Sequence, residues 1–496
     1  MSNSRRAKLL AAVCSAGLVA VLASPVAAES LFDALTLAYQ TNPTLQEQRA
    51  NLRALDEGVV QAKSGIRPTA SISADYARQQ TYYGNLTKTS IFSTAKVRSV
   101  EGSSSGATLS VTQPLYTGGR VSSAIDAAQA DVLAGRENLR SVEAGILFNV
   151  IQAYVDVRRD QERLKISQDN VAVLQRQLDE AQARFDVGEI TRTDVAQAQA
   201  RLAAAQAGLS SAQAQLAISR ASYAAVVGQN PGDLEAEPSL DNLLPTTIES
   251  AFDAAEKSNP QILAADYTEQ ASRSRVAQAK AATRPTVSLR GSLGWSDSAS
   301  GNNPPFDNYD RASSASVVTT VPLFTGGLTS SQIRQAEQRS NADRLAIEVA
   351  RRDVLKNIAQ AWNGLQGQRA LLISNEEQVK AARIAFEGVR QEAQVGLRTT
   401  LDVLNAEQEL RNAELALVSA RHDEYVAAAL LLQAMGSLEA RNLTPDVPRY
   451  DPTKNAKKIA KAWGATPWDP LVMAADRILA PAPPPAPADA PMATAK

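Results

Sequence analysis

The chain has 496 residues, of which 44% are hydrophobic, 21% charged and 5% aromatic, and its formal net charge is −1. This composition excludes a wholly disordered chain, and the balance of 51 basic against 52 acidic residues excludes a strongly basic nucleic-acid binder. A single His and a single Cys argue against a His/Cys metal site and against a catalytic thiol or imidazole, so no metal and no cofactor is expected.

The first predicted element is a secretory signal peptide over residues 1–28. Basic side chains precede an apolar stretch at 9–23, and small residues then suit cleavage after Ala28. An N-terminal membrane anchor is the alternative, but this stretch is shorter than the roughly 20 apolar residues that span a bilayer. The mature chain would contain no cysteine, because Cys14 lies in the removed segment.

The rest of the chain is a duplication, since short motifs recur with offsets of 217 and then 208 residues. The repeated pairs are Asn42-Pro43 with Asn259-Pro260, Arg67-Pro68 with Arg284-Pro285, Pro114–Gly119 with Pro322–Gly327, and Val187-Gly188 with Val395-Gly396. The change of offset places nine additional residues in the first copy, between Arg67 and Pro114. We assign the repeats to 29–246 and 247–452. Residues 453–496 are predicted to form a basic segment and a Pro/Ala-rich disordered tail.

Each repeat is predicted to run helix, strand, strand, very long helix, tight turn, helix. The opening helices are placed at 31–64 and 248–282, and each ends before an Arg-Pro pair because proline disfavours helical backbone in the residue before it.

The strands that follow alternate apolar and small polar residues with period two. The alternation covers residues 71–76, 109–112, 287–295 and 316–321. Such strands suit either a half-buried soluble sheet or a membrane barrel with its apolar face toward lipid. Two polar stretches between the strands, 78–107 and 296–314, are predicted as long loops, which are typical of membrane barrels.

Two regions without proline, about 121–186 and 329–394, are each predicted as one helix of roughly 66 residues, or about 100 Å at 1.5 Å per residue. A return helix of roughly 35 residues is expected after each. Large apolar residues recur every seven positions beside a row of alanines, which is typical of coiled coils. In the first repeat the large residues are Val157, Leu164, Val171, Leu178 and Phe185, then Val195, Leu202, Leu209, Leu216 and Tyr223.

One chain offers four candidate membrane strands, and four strands cannot close a barrel. Because an open strand edge is not tolerated in lipid, several copies of the chain would be required. Two copies give eight strands and a filled interior, whereas three give twelve strands and room for a channel. No later apolar run is long enough for a membrane helix, so any embedded part is expected to consist of strands.

The signal peptide, the duplication and two motifs together resemble the TolC family of outer-membrane channels. The motifs are "PL(Y/F)TGG" at Pro114–Gly119 and Pro322–Gly327, and the turn "VGLRT" at Val395–Thr399. The resemblance covers roughly 30–440. It implies a mainly helical, duplicated chain that contributes four strands to a trimeric 12-stranded β-barrel and its long helices to a periplasmic coiled-coil barrel.

The resemblance also implies a function. Members of the family pass drugs, toxins or secreted proteins from an inner-membrane transporter and a periplasmic adaptor protein to the cell exterior. The chain would then be a homotrimer in contact with lipid in the outer membrane of a Gram-negative bacterium, with a periplasmic extension, no nucleic-acid partner and no enzymatic activity.

The two turns between long and return helices are the candidate working site. Gly188 and Gly396 suit the left-handed residue that ends a helix. The T-x-x-D sequences at 191–194 and 399–402 suit capping boxes. Capping does not explain Arg398, because the helix dipole disfavours a cation near a helix N-terminus, and this arginine therefore suggests a carboxylate partner.

The resemblance implies two roles for these turns. Arg398 would pair with Thr193 and Asp194 to hold the periplasmic entrance closed, and Asp402 would form a threefold acidic ring at the narrowest point. Docking of the adaptor would use Val187, Gly188, Val395, Gly396, Leu397, Arg398 and Thr399.

Two residues depart from the family pattern. Ala393 stands where prominent members have a gating tyrosine, and Asn405 stands where they have a second acidic ring one turn beyond Asp402. We therefore expect a weaker gate and weaker cation selectivity, and we include Asn405 among the constriction residues.

Two other classes of function remain as alternatives. A secreted periplasmic coiled-coil scaffold without a pore would have the same helices, but its strands would face a protein core instead of lipid. A hydrolase that works through Asp/Glu pairs is disfavoured, because no pocket motif frames a carboxylate pair.

Overall fold

The computed structural model describes residues 29–90, 93–301, 304–443, 449–460, 466–478 and 480–485. The predicted signal peptide lies outside the described residues. The helices are α1 (Leu31–Thr41), α2 (Pro43–Ser64), α3 (Arg120–Asp186), α4 (Arg192–Val227), α5 (Ile248–Ser258), α6 (Pro260–Ala281), α7 (Leu328–Gln394), α8 (Thr400–Met435), α9 (Ala440–Leu443), α10 (Thr453–Ala460) and α11 (Asp469–Ile478). The strands are β1 (Thr69–Ser90), β2 (Ser93–Tyr116), β3 (Thr286–Ser300) and β4 (Asp310–Thr320).

The opening helix of each repeat is broken at its Asn-Pro pair, so the single helices predicted over 31–64 and 248–282 are wrong. Asn42 ends α1, and its side-chain oxygen caps α2 by accepting a hydrogen bond from the backbone N–H of Thr44 at 3.0 Å. The break follows because proline excludes helical backbone from the residue before it and is well suited to the first position of a helix. The pair at 259–260 separates α5 from α6 in the same way.

The strands form one antiparallel sheet in the order β1-β2-β3-β4. Ile72 lies opposite Leu109, and Leu109 lies opposite Leu293, so these side chains share one face. The other face is small and polar, as at Ser71 and Ser110, whose hydroxyls are 2.9 Å apart. The apolar sheet face comprises Ile72, Tyr76, Leu109, Val111, Leu289, Leu293 and Val317. The predicted alternation is confirmed.

The strands extend much further than predicted. β1 and β2 remain paired up to Ser90, which lies opposite Ser93, so the predicted loop at 78–107 belongs to a long hairpin. β3 and β4 likewise take up both ends of the predicted loop 296–314, since β3 extends to Ser300 and β4 begins at Asp310. The reason is that ladder hydrogen bonds join backbone groups and do not require apolar side chains.

The long helices agree closely with the prediction. α3 and α7 have 67 residues each, and α4 and α8 have 36 each. At 1.5 Å per residue the longer pair measures about 100 Å. α3 packs along α4, α6 and α8, and the core contains Leu147, Ile151, Tyr154, Tyr223 and Ile358. None of the described helices is long and apolar enough to cross a membrane.

The C-terminal segment folds back along the first repeat. α10 packs on α2, where the amide of Asn455 donates to a carboxylate oxygen of Asp56 at 2.8 Å. α11 packs on β2 and on the start of α3. Ala480 and Pro481 lie alongside Gly119, and the N–H of Ala480 donates to the carbonyl of Arg477 at 3.1 Å. Residues 486–496 lie outside the described residues.

Candidate functional site

Two turns join the long helices to their return helices: tip 1, residues 187–191, and tip 2, residues 395–399. Gly188 has a φ of 85° and Gly396 a φ of 79°, which is the left-handed region that glycine adopts without steric cost. In each tip the N–H of the residue after the glycine bonds to the carbonyl five residues earlier, at 2.9 Å. Both long helices therefore end in the glycine motif that the sequence predicts.

Each return helix begins with a capping box. The hydroxyl of Thr191 donates to Asp194 at 2.8 Å, and the hydroxyl of Thr399 donates to Asp402 at 2.8 Å. Each aspartate N–H bonds back to the same hydroxyl. These hydrogen bonds hold the pKa of Asp194 and the pKa of Asp402 below the usual aspartate range, so both carboxylates are ionised at neutral pH. The predicted caps are confirmed.

Arg398 pairs with Glu392 at the end of α7, with 2.8 Å between its Nε and the carboxylate Oε2. Both side chains are about half exposed. Within the described part of a single chain, Arg398 is not brought to Thr193 or Asp194, because Thr193 is exposed on α4 and the Asp194 carboxylate bonds to its own cap.

Tip 1 carries an ion pair of the opposite polarity. Arg184, near the end of α3, pairs with Glu189 in the turn at 3.1 Å. Arg184 and Glu392 are equivalent positions of the two repeats, 208 residues apart. Neither helix residue was predicted as part of the site, although their opposite charges at a repeat-equivalent position were a signal that could have identified them.

Large aliphatic side chains are exposed at both tips. These are Val187 in tip 1 and Val395 and Leu397 in tip 2. The predicted docking residues of each turn are therefore adjacent and accessible in the single chain. Each tip presents an apolar edge beside an ion pair, which is a surface suited to contact with another protein.

Asn405 on α8 bonds to Arg201 on α4. The Arg201 Nη2 donates to the Asn405 amide oxygen at 3.0 Å, and the same guanidinium donates to Gln408. Asn405 is exposed and lies one helical turn beyond Asp402. Arg201 was not predicted, because the contact joins residues 204 positions apart and no motif marks it.

A buried carboxyl group lies next to this contact. Glu407 is 7% exposed and lines a cavity of about 80 Å³ between α3, α4 and α8, with Leu174, Ala205 and Leu404. Burial raises the pKa of Glu407 to about 7, although the hydrogen bond from Gln177 opposes this shift. Glu407 was not predicted, since the heptad pattern does not distinguish it from exposed glutamates on α8.

The tips offer fixed charges and hydrogen bonds on rigid helix ends. Throughout the described ranges, no cluster of three or more His, Cys, Asp or Glu side chains is arranged to hold a metal ion. The arrangement suits electrostatic contact between chains and with passing ions.

Comparison with known proteins assigns the family. The family described as "Outer membrane efflux protein" matches residues 34–229 and 251–437. The outer membrane efflux protein BepC of Brucella suis is 35% identical over 435 residues, which cover 88% of this chain and 91% of that protein. The outer membrane protein TolC of Vibrio cholerae is 28% identical over 88% of this chain and 97% of its own length. The alkaline protease secretion protein AprF of Pseudomonas aeruginosa is 26% identical over 68% and 70%.

Solved structures show the same fold. The CmeC outer membrane channel of Campylobacter jejuni has a TM-score of 0.72 at 16% identity and covers 87% of this chain and 89% of that chain. The open state of the MtrE outer membrane channel of Neisseria gonorrhoeae has a TM-score of 0.66 at 21% identity and covers 82% and 89%. The predicted fold class is confirmed. The chain belongs to the outer membrane efflux protein family of outer-membrane export channels.

Proposed function

We propose that three copies of the chain form the exit duct of a tripartite efflux or type I secretion system. The duct would carry drugs, toxins or secreted proteins from an inner-membrane transporter and a periplasmic adaptor protein to the cell exterior. It would act as a conduit and not as an enzyme. The relatives support both cargo classes, since one is named for efflux and another for protease secretion.

The observation that carries the proposal is the exposure of the apolar sheet face. Ile72 is 73% exposed, and Val317 on the opposite edge strand is also exposed. A soluble scaffold would bury such a face in a protein core, because exposed apolar surface of this extent is unfavourable in water. Lipid is the environment that suits it, and this favours a membrane channel over the scaffold alternative.

The sheet edges support assembly into a trimer. β1 and β4 are the outer strands of the sheet, and at the foot of β4 Leu323 is 93% and Phe324 90% exposed. The equivalent residues of the first repeat, Leu115 and Tyr116, are half-buried where β2 pairs with β3. In a trimer, β4 would pair with β1 of the next copy, and this pairing would close a 12-stranded barrel without an open edge.

At the periplasmic end, Arg398 of one copy would reach Thr193 and Asp194 of its neighbour and hold the entrance closed. Asp402 would form the acidic ring at the constriction. Asn405, one helical turn further along α8, would also line the constriction but would add no charge to it. The exposed residues of both tips would receive the adaptor. The charge and exposure of these residues in the single chain support these roles.

Planar-bilayer conductance of the membrane-extracted protein tests the proposal, together with the mass of the native assembly. We expect a trimer that produces small, mostly closed conductance steps. A monomer that produces no steps would favour the periplasmic scaffold. Protein unfolded by heat before reconstitution serves as the control for leakage through detergent.

A further inference from the structure

α11 is an amphipathic helix whose apolar side is exposed. Leu471 and Ile478 are seven residues apart and share one side of the helix, and Trp468 stands just before its first residue. Leu471 is 74% exposed, and Ile478 is similarly exposed. Val472 and Asp476, which are four residues apart, lie on the side of the helix that faces the protein and are buried. The orientation of the helix therefore directs its apolar side outward.

This orientation is fixed by polar contacts at both ends of the helix. Asp476 accepts four hydrogen bonds of 2.7–3.2 Å from backbone and hydroxyl groups of residues 117–122, where α3 begins. At the other end, Asp469 pairs with Arg67 at 3.2 Å. Rotation of the helix that buried its apolar side would break these contacts and leave a buried carboxylate without partners, which is strongly unfavourable.

α11 lies at the foot of the apolar sheet face. The indole Nε1 of Trp468 donates to the side-chain oxygen of Gln113 at 3.3 Å. Gln113 lies opposite Leu289, and Leu289 lies opposite Val317, so Gln113 belongs to the same face of the sheet as these apolar residues. β2 is an inner strand of the sheet, so this position is removed from the two edges at which other copies of the chain would join.

Aromatic residues also mark the other end of this face. Tyr76 stacks on Phe306 with 5.9 Å between ring centroids, and Tyr76 lies opposite Ser105. From Ser105 to Gln113 the strand advances eight residues, or about 26 Å. Membrane barrels have an apolar band of about 25 Å between two aromatic girdles, so Trp468 lies where the periplasmic girdle is expected.

We propose that α11 is an in-plane membrane anchor whose exposed side enters the periplasmic leaflet of the outer membrane, with phospholipid as its occupant. The exposed residues Lys454, Lys457 and Lys458 on α10 supply positive charge before the helix, which suits anionic headgroups. This inference rests on the proposed function, because it requires the strands to lie in the membrane.

Spin labels at three cysteine variants test the proposal in the full-length assembly. Cys14 lies in the predicted signal peptide, so in a chain that begins at Glu29 the variants Leu471→Cys, Ile72→Cys and Val187→Cys each provide one labelling site. Ile72 reports on the sheet face, and Val187 in tip 1 is a matched control, 72% exposed but about 100 Å of helix away from the strands. The proteins are reconstituted into phospholipid vesicles, and conductance verifies their assembly.

The readout is relaxation of each label by oxygen, which concentrates in the bilayer, and by a water-soluble nickel chelate. We expect labels at 471 and 72 to favour oxygen and the label at 187 to favour nickel, with a several-fold difference in the ratio. If 72 favours oxygen but 471 favours nickel, the anchor is wrong and the membrane channel stands. If both favour nickel, the channel proposal fails as well. A label at 471 that neither reagent reaches would show that protein covers the helix, which also overturns the anchor.

Discussion

Arg184 and Glu392 occupy the same position in the two repeats and carry opposite charges. Arg184 pairs with Glu189 in the turn of tip 1, and Glu392 pairs with Arg398 in the turn of tip 2. The turn of tip 1 is therefore acidic where the turn of tip 2 is basic. If the tips alternate around a closed ring, each basic turn lies next to an acidic one, and the charges that stabilise single tips are also available to neighbouring tips.

Removal of Arg398 should open the channel, whereas removal of its partner Glu392 should not. Arg398→Ala loses the proposed contact with Thr193 and Asp194 of the next copy, so we expect its conductance steps to be larger and more frequent than those of the wild type. Glu392→Gln frees the arginine from its competitor, so the channel should open no more often than wild type. The change in open probability should be a few-fold, because exposed ion pairs are weak and screened by salt.

Planar-bilayer recordings at low salt measure this difference. Arg383→Ala is the matched control, because Arg383 is an exposed arginine of α7 that pairs with Glu414 on α8. It should behave as wild type. Steps unchanged in Arg398→Ala would exclude Arg398 as the latch, although the channel itself would stand.

An acidic residue at position 405 should make the channel more sensitive to trivalent cations. Arg201 already bonds to Asn405, so the charge introduced by Asn405→Asp would be partly neutralised. The double variant Asn405→Asp/Arg201→Gln should therefore be blocked more strongly than the single variant, and both more strongly than wild type. Titration of conductance with hexaamminecobalt measures the block. Equal block in wild type and Asn405→Asp would argue against a constriction at this level.

Glu407 should make the folded protein less stable as the pH rises. Burial raises the pKa of Glu407 from 4.5 to about 7. Between these values the folded state keeps a proton that the unfolded state releases, so the free energy of unfolding falls with rising pH and levels off above pH 7. The full loss amounts to about 3 kcal/mol per chain. Glu407→Gln stays neutral and should make the dependence smaller by the share that Glu407 contributes.

Thermal unfolding at pH 5 and pH 8, followed by circular dichroism, measures this effect. Glu409→Gln serves as the control, because Glu409 is an exposed glutamate on the same helix. The control should keep the wild-type difference between the two pH values. If Glu407→Gln also keeps that difference, the acid at 407 is not the group responsible.

Asp476→Ala should detach α11 from the protein. The substitution leaves four donors at the start of α3 without their acceptor and weakens the attachment by roughly 2–3 kcal/mol. Limited proteolysis should then cut the C-terminal segment much faster, with fragments identified by mass spectrometry. Asp451→Ala, at an exposed carboxylate that caps α10, should be cut at nearly the wild-type rate. Equal rates in both variants would contradict the attachment.

The attachment should survive mild acid. Burial alone would raise the pKa of Asp476, but the hydrogen bonds from Thr117, Gly119 and Ser122 outweigh it and hold the pKa below the usual range. A lowered pKa in the folded state contributes stability above the unfolded pKa, and this stability is lost only as the pH falls through the lowered value. Proteolysis rates at pH 5 and pH 7 should therefore be similar.

The long helices were predictable nearly to the residue. The predicted helix 121–186 agrees with the observed helix Arg120–Asp186. The agreement is close because three independent signals coincide, namely the lack of proline, an unbroken heptad pattern and a glycine at the end. The breaks at the Asn-Pro pairs were missed although the pairs were recognised as repeat markers, because the apolar pattern continues across them. The strand ends were not predicted because strands pair through backbone hydrogen bonds, which form whether the side chains are polar or apolar.

The long-range contacts of the candidate site could not be predicted from the sequence. Asp476 accepts hydrogen bonds from residues that are 354 to 359 positions away in the sequence, and Arg201 donates to Asn405, which is 204 positions away. Neither contact follows from spacing, since both depend on how separate helices come together. The turns themselves were predictable, because a glycine and a T-x-x-D sequence specify their geometry locally.

The matched lengths of the two helical hairpins constrain how the gene can change. Because α3 equals α7 and α4 equals α8 in length, both tips end at the same depth. An insertion of seven residues in each helix of one hairpin alone would push its tip about 10 Å past the other. Lengthening of the duct should therefore arise as paired insertions, one in each repeat. The nine additional residues of the first repeat lie in the strand hairpin at the opposite end, where a difference in length leaves the depth of the tips unchanged.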